Sequence, residues 1–173
     1  MRLLALETAT DACTVALWLD GEILQQFELA PQRHTELLLP MVAALCAEAE
    51  CSLGSLDAIA VSVGPGSFTG LRVGLSAARG IALGLEVPAV GITTLTAFTV
   101  PLIDGDERSL IVSAIDARHG HMYAQIVSGA GQVFRLDHDV IVQAANSQNG
   151  GWGHFAPRLE IGPARDGRAG GHG

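Results

Sequence analysis

The sequence contains no lysine: all 10 basic side chains among its 173 residues are arginine. Chemistry that needs an ε-amine is therefore excluded, whether a Schiff base, a Ser-Lys pair or the phosphate-gripping lysine of a Walker loop. Positive charge is scarce altogether, with 18 acids giving a formal net charge of −8. Divided at Val100, the chain has 4 arginines against 10 acids and then 6 against 8, so neither half is basic. A free-standing nucleic-acid binder normally carries a basic stripe, so any RNA contact falls mostly to another subunit. No membrane span is present: the longest apolar run, 37–47, is too short and contains Pro40. Glu7 interrupts the N-terminus before a signal-peptide core could form. Cys13, Cys46 and Cys51 form no Cys-x-x-Cys pair and read as small core residues of a cytoplasmic protein.

What is present is ample apolar material, 49% of residues, enough to build a core and to exclude disorder of the whole chain. Residues 2–7 form a short apolar strand, and the alternation of Cys13, Val15, Leu17 and Leu19 marks a second. Asp20-Gly21 is a hairpin signal, and 22–29 is the return strand. Residues 34–50 read as a helix that either kinks at Pro40 or starts late. A strand at 57–63, a helix at 69–85 and a strand at 87–92 follow, the pattern of a parallel crossover. Together these describe an α/β mixed sheet with flanking helices over residues 1–100. After Pro101 the pattern restarts, with strands at 109–115, ending at Asp116, and at 122–127, and a third at 132–136. This makes a partial second lobe over 101–146. Residues 147–173 are expected to be a Gly-rich, disordered tail, since 8 of the 28 residues from Asn146 onward are glycine.

Gly64-Pro65-Gly66-Ser67-Phe68-Thr69-Gly70 is the most distinctive segment. It leads from an apolar strand into a helix N-terminus, where unpaired amides and the helix dipole favour an anion. It is no dinucleotide fingerprint, because the third glycine falls one position late. The alternative reading is that the glycines permit a tight turn and close packing. A nucleotide site would draw on Glu7, Thr8, Gly64, Gly66, Ser67, Thr69 and Asp116, since Glu7-Thr8 and Asp116-Ala117 are similar strand-end acids.

In the helix that follows, Gly70, Gly74, Ala77, Ile81 and Gly84 recur at steps of four and three, beside a stripe begun by Leu71, Leu75 and Ala78. Glycine costs about 1 kcal/mol per helix position relative to alanine, so several in one helix imply close approach of another backbone. The first helix is apolar nearly all round between Leu37 and Ala47. Both helices thus carry more apolar surface than one sheet can bury, which marks a subunit interface, the alternatives being cover from the second lobe or a helix misread. Leu37, Leu38, Met41 and Leu45, with Gly70, Leu71, Gly74, Ala77, Ala78 and Ile81, are the expected contact residues. His34 stands near the start of the first helix, and His119-Gly120-His121, lacking a third ligand, reads as a solvated turn. No metal site and no catalytic nucleophile is expected.

Three stretches resemble the TsaB (YeaZ) family: 4–10 (Leu-Ala-Leu-Glu-Thr-Ala-Thr), 61–74 around the glycine loop, and 114–118 (Ala-Ile-Asp-Ala-Arg). The resemblance covers about residues 2–130. It implies an actin-like (ASKHA, ribonuclease H-like) fold. It further implies a non-catalytic pairing subunit of the bacterial complex that makes threonylcarbamoyladenosine beside the anticodon of tRNAs. The implied partners are the catalytic subunit TsaD, the ATPase TsaE through the complex, and a second copy of the chain. The implied contact is a four-helix bundle, with tRNA met mainly through the partner and ATP or ADP bound, if at all, at the level of the complex. Thr94 and Phe98 stand where the catalytic paralogue carries a His-x-x-x-His metal pair, and neither replaces an imidazole. Glu7 stands where the family usually has Asp. The second lobe is expected to be incomplete. The rival readings are a nucleotide-dependent ASKHA enzyme, a metallopeptidase-like protein, and a regulatory homodimer.

Overall fold

Alternation in the first two strands decides which way the sheet faces. Leu4 and Leu6 of β1 (Arg2–Glu7), Cys13, Val15 and Leu17 of β2 (Ala12–Leu19), and Ile59 and Val61 of β4 (Ala58–Ser62) are all buried on one face. In the computed structural model, which describes residues 1–118 and 121–134, these strands join β3 (Glu22–Leu29) and β5 (Ala89–Ile92) in one sheet. Its order is β3-β2-β1-β4-β5. The β1-β2-β3 meander is antiparallel, and β1-β4 and β4-β5 pair in parallel. Asp20 and Gly21 both have positive φ (51° and 110°), the backbone of a tight two-residue hairpin, and Leu19 pairs with Glu22 across it.

Two helices cover the apolar face. α1 (His34–Glu48) buries Leu38, Met41, Val42, Leu45 and Cys46, and α2 (Phe68–Leu85) buries Gly70, Gly74, Ala78 and Ala82. The helix begins at His34, the start expected for 34–50, and runs through Pro40 as one element, so the late start offered as an alternative does not occur. Pro40 and Glu36, whose carbonyl loses its i+4 donor, are both exposed, so water meets the freed acceptor while the buried stripe stays intact. His34 is itself buried, and its Nε2 lies 3.2 Å from the Ala12 carbonyl. All three cysteines are buried and free. No helix among the described residues is long and apolar enough to cross a membrane.

After β5 come a short helix, α3 (Thr94–Thr99), and a three-stranded antiparallel sheet, β6 (Leu110–Arg118), β7 (His121–Ser128) and β8 (Val133–Phe134). Thr99 ties α3 to this sheet: its hydroxyl donates to the Leu95 carbonyl at 2.8 Å and hydrogen-bonds the Ser113 hydroxyl. All the described residues belong to one compact unit, Met1–Gln143. His119, Gly120 and the tail at 147–173 lie outside the described residues.

Candidate functional site

The glycine loop meets the turn after β1 at backbone distance. A Cβ placed on Gly66 would stand 2.3 Å from the Ala9 carbonyl oxygen, and one on Gly70 would stand 2.0 Å from that of Thr8. On Gly74 it would meet Thr8 Oγ1 at 2.4 Å. Thr8, fully buried, donates its hydroxyl to the Gly70 carbonyl at 2.8 Å. Gly70 and Gly74 therefore make their close approach inside the chain, to the turn after β1, whereas Gly84 of the same stripe has nothing within 4 Å of an added Cβ. Gly64, at φ 98°, begins the loop, and its carbonyl accepts from the Thr94 N–H at 2.9 Å.

The same contacts occupy two of the amides at this helix N-terminus. Ser67 N–H donates to the Ala9 carbonyl at 2.6 Å, and Ser67 Oγ caps the helix by accepting from Gly70 N–H at 3.3 Å. Thr69 points away from β1 and lines a groove between α1 and α2. Asp116 does not end its strand: β6 continues through an irregularity to Arg118, and Asp116 stands opposite Met122 in the three-stranded sheet. Of the nucleotide-site candidates, Glu7, Thr8, Gly64, Gly66 and Ser67 come together around the β1 turn, where packing uses them. Among the described residues, no three His, Cys, Asp or Glu side chains are placed to share a metal ion.

Glu7 turns its carboxylate back on its own turn, where Oε1 accepts the Ala9 N–H. Burial pushes its carboxyl pKa above the ordinary value, and that hydrogen bond offsets the rise only in part. In this window the folded state holds a proton that the unfolded state has released. Stability contributed by the group is thus lost as pH rises from the ordinary carboxylate range through the raised value. Glu7→Gln should therefore gain stability relative to the parent as pH rises above the ordinary carboxylate range, read as a growing difference in urea midpoint. A gap that stays constant or shrinks would mean that the carboxyl is not destabilised by burial.

The helices divide the expected contact residues by burial. Leu38 and Leu45 are each 1% exposed, and Met41, Gly70, Gly74 and Ala78 are buried as well, all against the chain's own sheet. Leu37, Ala77 and Ile81 pack at the edge of that core, and Leu71 lies half-buried against the Gly64 loop. These side chains are the inner face. The outer face of α1 carries Leu39, Pro40, Ala43, Ala44 and Ala47, and that of α2 carries Phe68, Arg72, Ser76, Arg79 and Leu83. Leu39, Phe68 and Leu83 are 55%, 68% and 83% exposed. Between the helices runs a groove of about 580 Å³, lined by Leu39, Phe68, Arg72 and Ser76 and also by Leu38 and Ala77 of the expected contact set. A second hollow of about 630 Å³ lies at the other end of α2, beside Arg79, Leu83, Glu86 and Ala89. Period 3.6 places residues 39, 43 and 47 opposite 38, 41 and 45, a signal present in the sequence but masked because both sides of α1 are apolar.

Comparison with known proteins places this geometry among relatives. Residues 24–149 match the family model described as TsaD, tRNA N6-adenosine threonylcarbamoyltransferase. The Escherichia coli tRNA threonylcarbamoyladenosine biosynthesis protein TsaB is 45% identical over 123 residues, which is 71% of this chain and 53% of that protein. Its Haemophilus influenzae counterpart is 42% identical over 128 residues, 73% of this chain and 54% of the other. The solved structure of YeaZ from Pseudomonas aeruginosa superposes with a TM-score of 0.70 at 36% identity, covering 78% of this chain and 65% of that one. The chain thus spans about half the length of the curated relatives it matches.

Proposed function

The chain belongs to the TsaB (YeaZ) family, and from that premise we propose that it is a non-catalytic pairing subunit. It joins the TsaD catalytic subunit and enables threonylcarbamoylation of adenosine next to the anticodon of tRNAs. One observation carries this reading. The outer faces of α1 and α2 present Leu39, Pro40, Ala43, Ala44 and Ala47 beside Phe68 and Leu83, flanking an open groove. An apolar face of that kind on two adjacent helices suits a helix pair from another polypeptide.

The residues where the paralogue would hold its metal support the reading of a non-catalytic role. Thr94 is buried in the first turn of α3, with its backbone N–H on Gly64, and Phe98 is half-exposed without a lone pair to offer. ATP or ADP, if it is bound, is assigned to the assembled complex; in this chain the Ser67 and Gly70 amides are used by Ala9 and by the Ser67 cap. TsaE joins through the complex, and a net charge of −8 leaves tRNA contacts mainly to the partner. A second copy of the chain competes for the same face.

Reconstitution tests the proposal directly. Threonylcarbamoylation of tRNA by the other components should fall to background when this chain is left out and recover when it is restored. Full modification without it, or transfer by this chain alone, would overturn the assignment.

A further inference from the structure

The last turn of α1 brings two thiols together. Glu50 adopts a left-handed backbone (φ 48°), and two hydrogen bonds close the turn around it. Its own N–H donates to the Ala47 carbonyl at 3.2 Å, and the Cys51 N–H donates to the Cys46 carbonyl at 2.9 Å. This is a Schellman end, in which the two residues joined by the longer-range bond commonly meet through their side chains as well. In this chain those residues are both cysteine. The main-chain bond between them holds their Cα atoms no more than about 7 Å apart by bond lengths alone, and a disulfide spans about 4.4–6.8 Å. Both side chains lie in the same buried cluster, 8% and 9% exposed.

The third cysteine is out of reach. His34, at the other end of α1, meets the Ala12 carbonyl next to Cys13, and the helix between them puts Cys46 about 18 Å further along its axis. Around the pair, Ser55 donates its hydroxyl proton to the Ser52 carbonyl at 2.7 Å, so at the 3.4 Å contact between Ser55 Oγ and Cys51 Sγ the thiol is the donor. Burial, and after it the Cys51 sulfur, push the Cys46 thiol up, which makes Cys46 slow to attack an oxidant. Burial also keeps bulky reagents away, so a small oxidant is the one that fits. A sulfenic acid formed in the pair then meets the neighbouring thiol before a second oxidant arrives.

We propose that Cys46 and Cys51 are an oxidation site, a dithiol that a hydroperoxide converts to a disulfide across the end of α1. One sulfur attacks the peroxide, the O–O bond breaks, and a sulfenic acid forms with release of water. The second sulfur displaces that oxygen as another water while the S–S bond forms. The two thiols lose two electrons and both hydrogens, and the peroxide oxygens gain them. The bond staples the closing turn of α1 to the segment that enters β4 through the helical turn Leu53–Ser55, and a dithiol reductant reverses it. The site is independent of the pairing role proposed above.

The test treats the reduced full chain with a small excess of hydrogen peroxide, quenches it in acid and maps it by mass. With no lysine present, trypsin leaves residues 34–72 as one peptide holding Cys46 and Cys51 but not Cys13. That peptide should lose two hydrogens and take up no iodoacetamide. After cleavage at Glu48 or Glu50 its pieces should stay joined until dithiothreitol parts them. The oxidised chain should melt about 5 °C above the reduced one, the gain for closing so short a loop. Cys46→Ser and Cys51→Ser should each abolish both effects, and Cys13→Ser neither. Two thiols still open to alkylation, a bridge to Cys13 or to a second chain, or an oxidised form that melts at or below the reduced one would overturn the proposal.

Discussion

Gly70→Ala should lower the melting temperature of this protein by about 10 °C, equivalent to about 3 kcal/mol for a unit of this size. One methyl group has this effect because of what faces it. The added carbon would stand 2.0 Å from the Thr8 carbonyl oxygen. Thr8 cannot retreat: it is fully buried at the end of β1, and its hydroxyl is bonded to Gly70 in turn. Either α2 lifts from the sheet, opening the packing of Ala78 and Ala82, or the β1 turn distorts. Gly84→Ala is the control. It lies in the same helix with nothing within 4 Å of an added Cβ, so it should stabilise by about 0.5–1 kcal/mol through helix propensity. Thermal unfolding followed by circular dichroism reads both. If Gly70→Ala melts with the parent, the close approach of α2 to β1 is wrong.

Leu39→Asp combined with Leu83→Asp should weaken binding to the catalytic partner by about a thousandfold or more, leaving the melting temperature within a degree or two. Both side chains are more than half exposed in the chain alone, and exposed substitutions away from special features typically change stability by less than about 0.5 kcal/mol. In the assembled pair the same positions would lie in an apolar contact. Carboxylates stranded there cost several kcal/mol, and about 4 kcal/mol corresponds to three decades in Kd. The choice of positions is what makes the result interpretable. Leu38→Asp with Met41→Asp, or Gly74→Arg, would also abolish the complex, but by unfolding the chain: the first pair sits in the core and Gly74 abuts Thr8. Co-purification with the partner, paired with a melting curve for each variant, separates the two causes.

Much of the architecture was legible from residue patterns. The alternation through Cys13, Val15 and Leu17, the Asp20-Gly21 turn and the strand-helix-strand around the glycine loop each produced the element expected. Errors fell at boundaries governed by pairing with distant strands. Asp116 is not a strand end, because β7 continues to pair past it. The helix expected over 34–50 does begin at His34, and only the late start offered at Pro40 fails, because the proline lies on the exposed side of α1. The demand for close approach read from the glycine stripe holds at Gly70 and Gly74 and not at Gly84, and which segment answers it could not be read from spacing.

The order of side chains alone determined that two helices flank this sheet with apolar residues on more than one side, that lysine chemistry is closed to the chain, and that the loop at 64–70 must pack tightly. Only the tertiary structure decided which apolar side is spent. Register places Leu38, Met41, Leu45, Gly70 and Gly74 against β-strands from elsewhere in the sequence, and leaves Leu39, Phe68 and Leu83 outside. A periodic pattern records that a helix has faces, but the direction each face points is set by contacts between residues far apart in the chain.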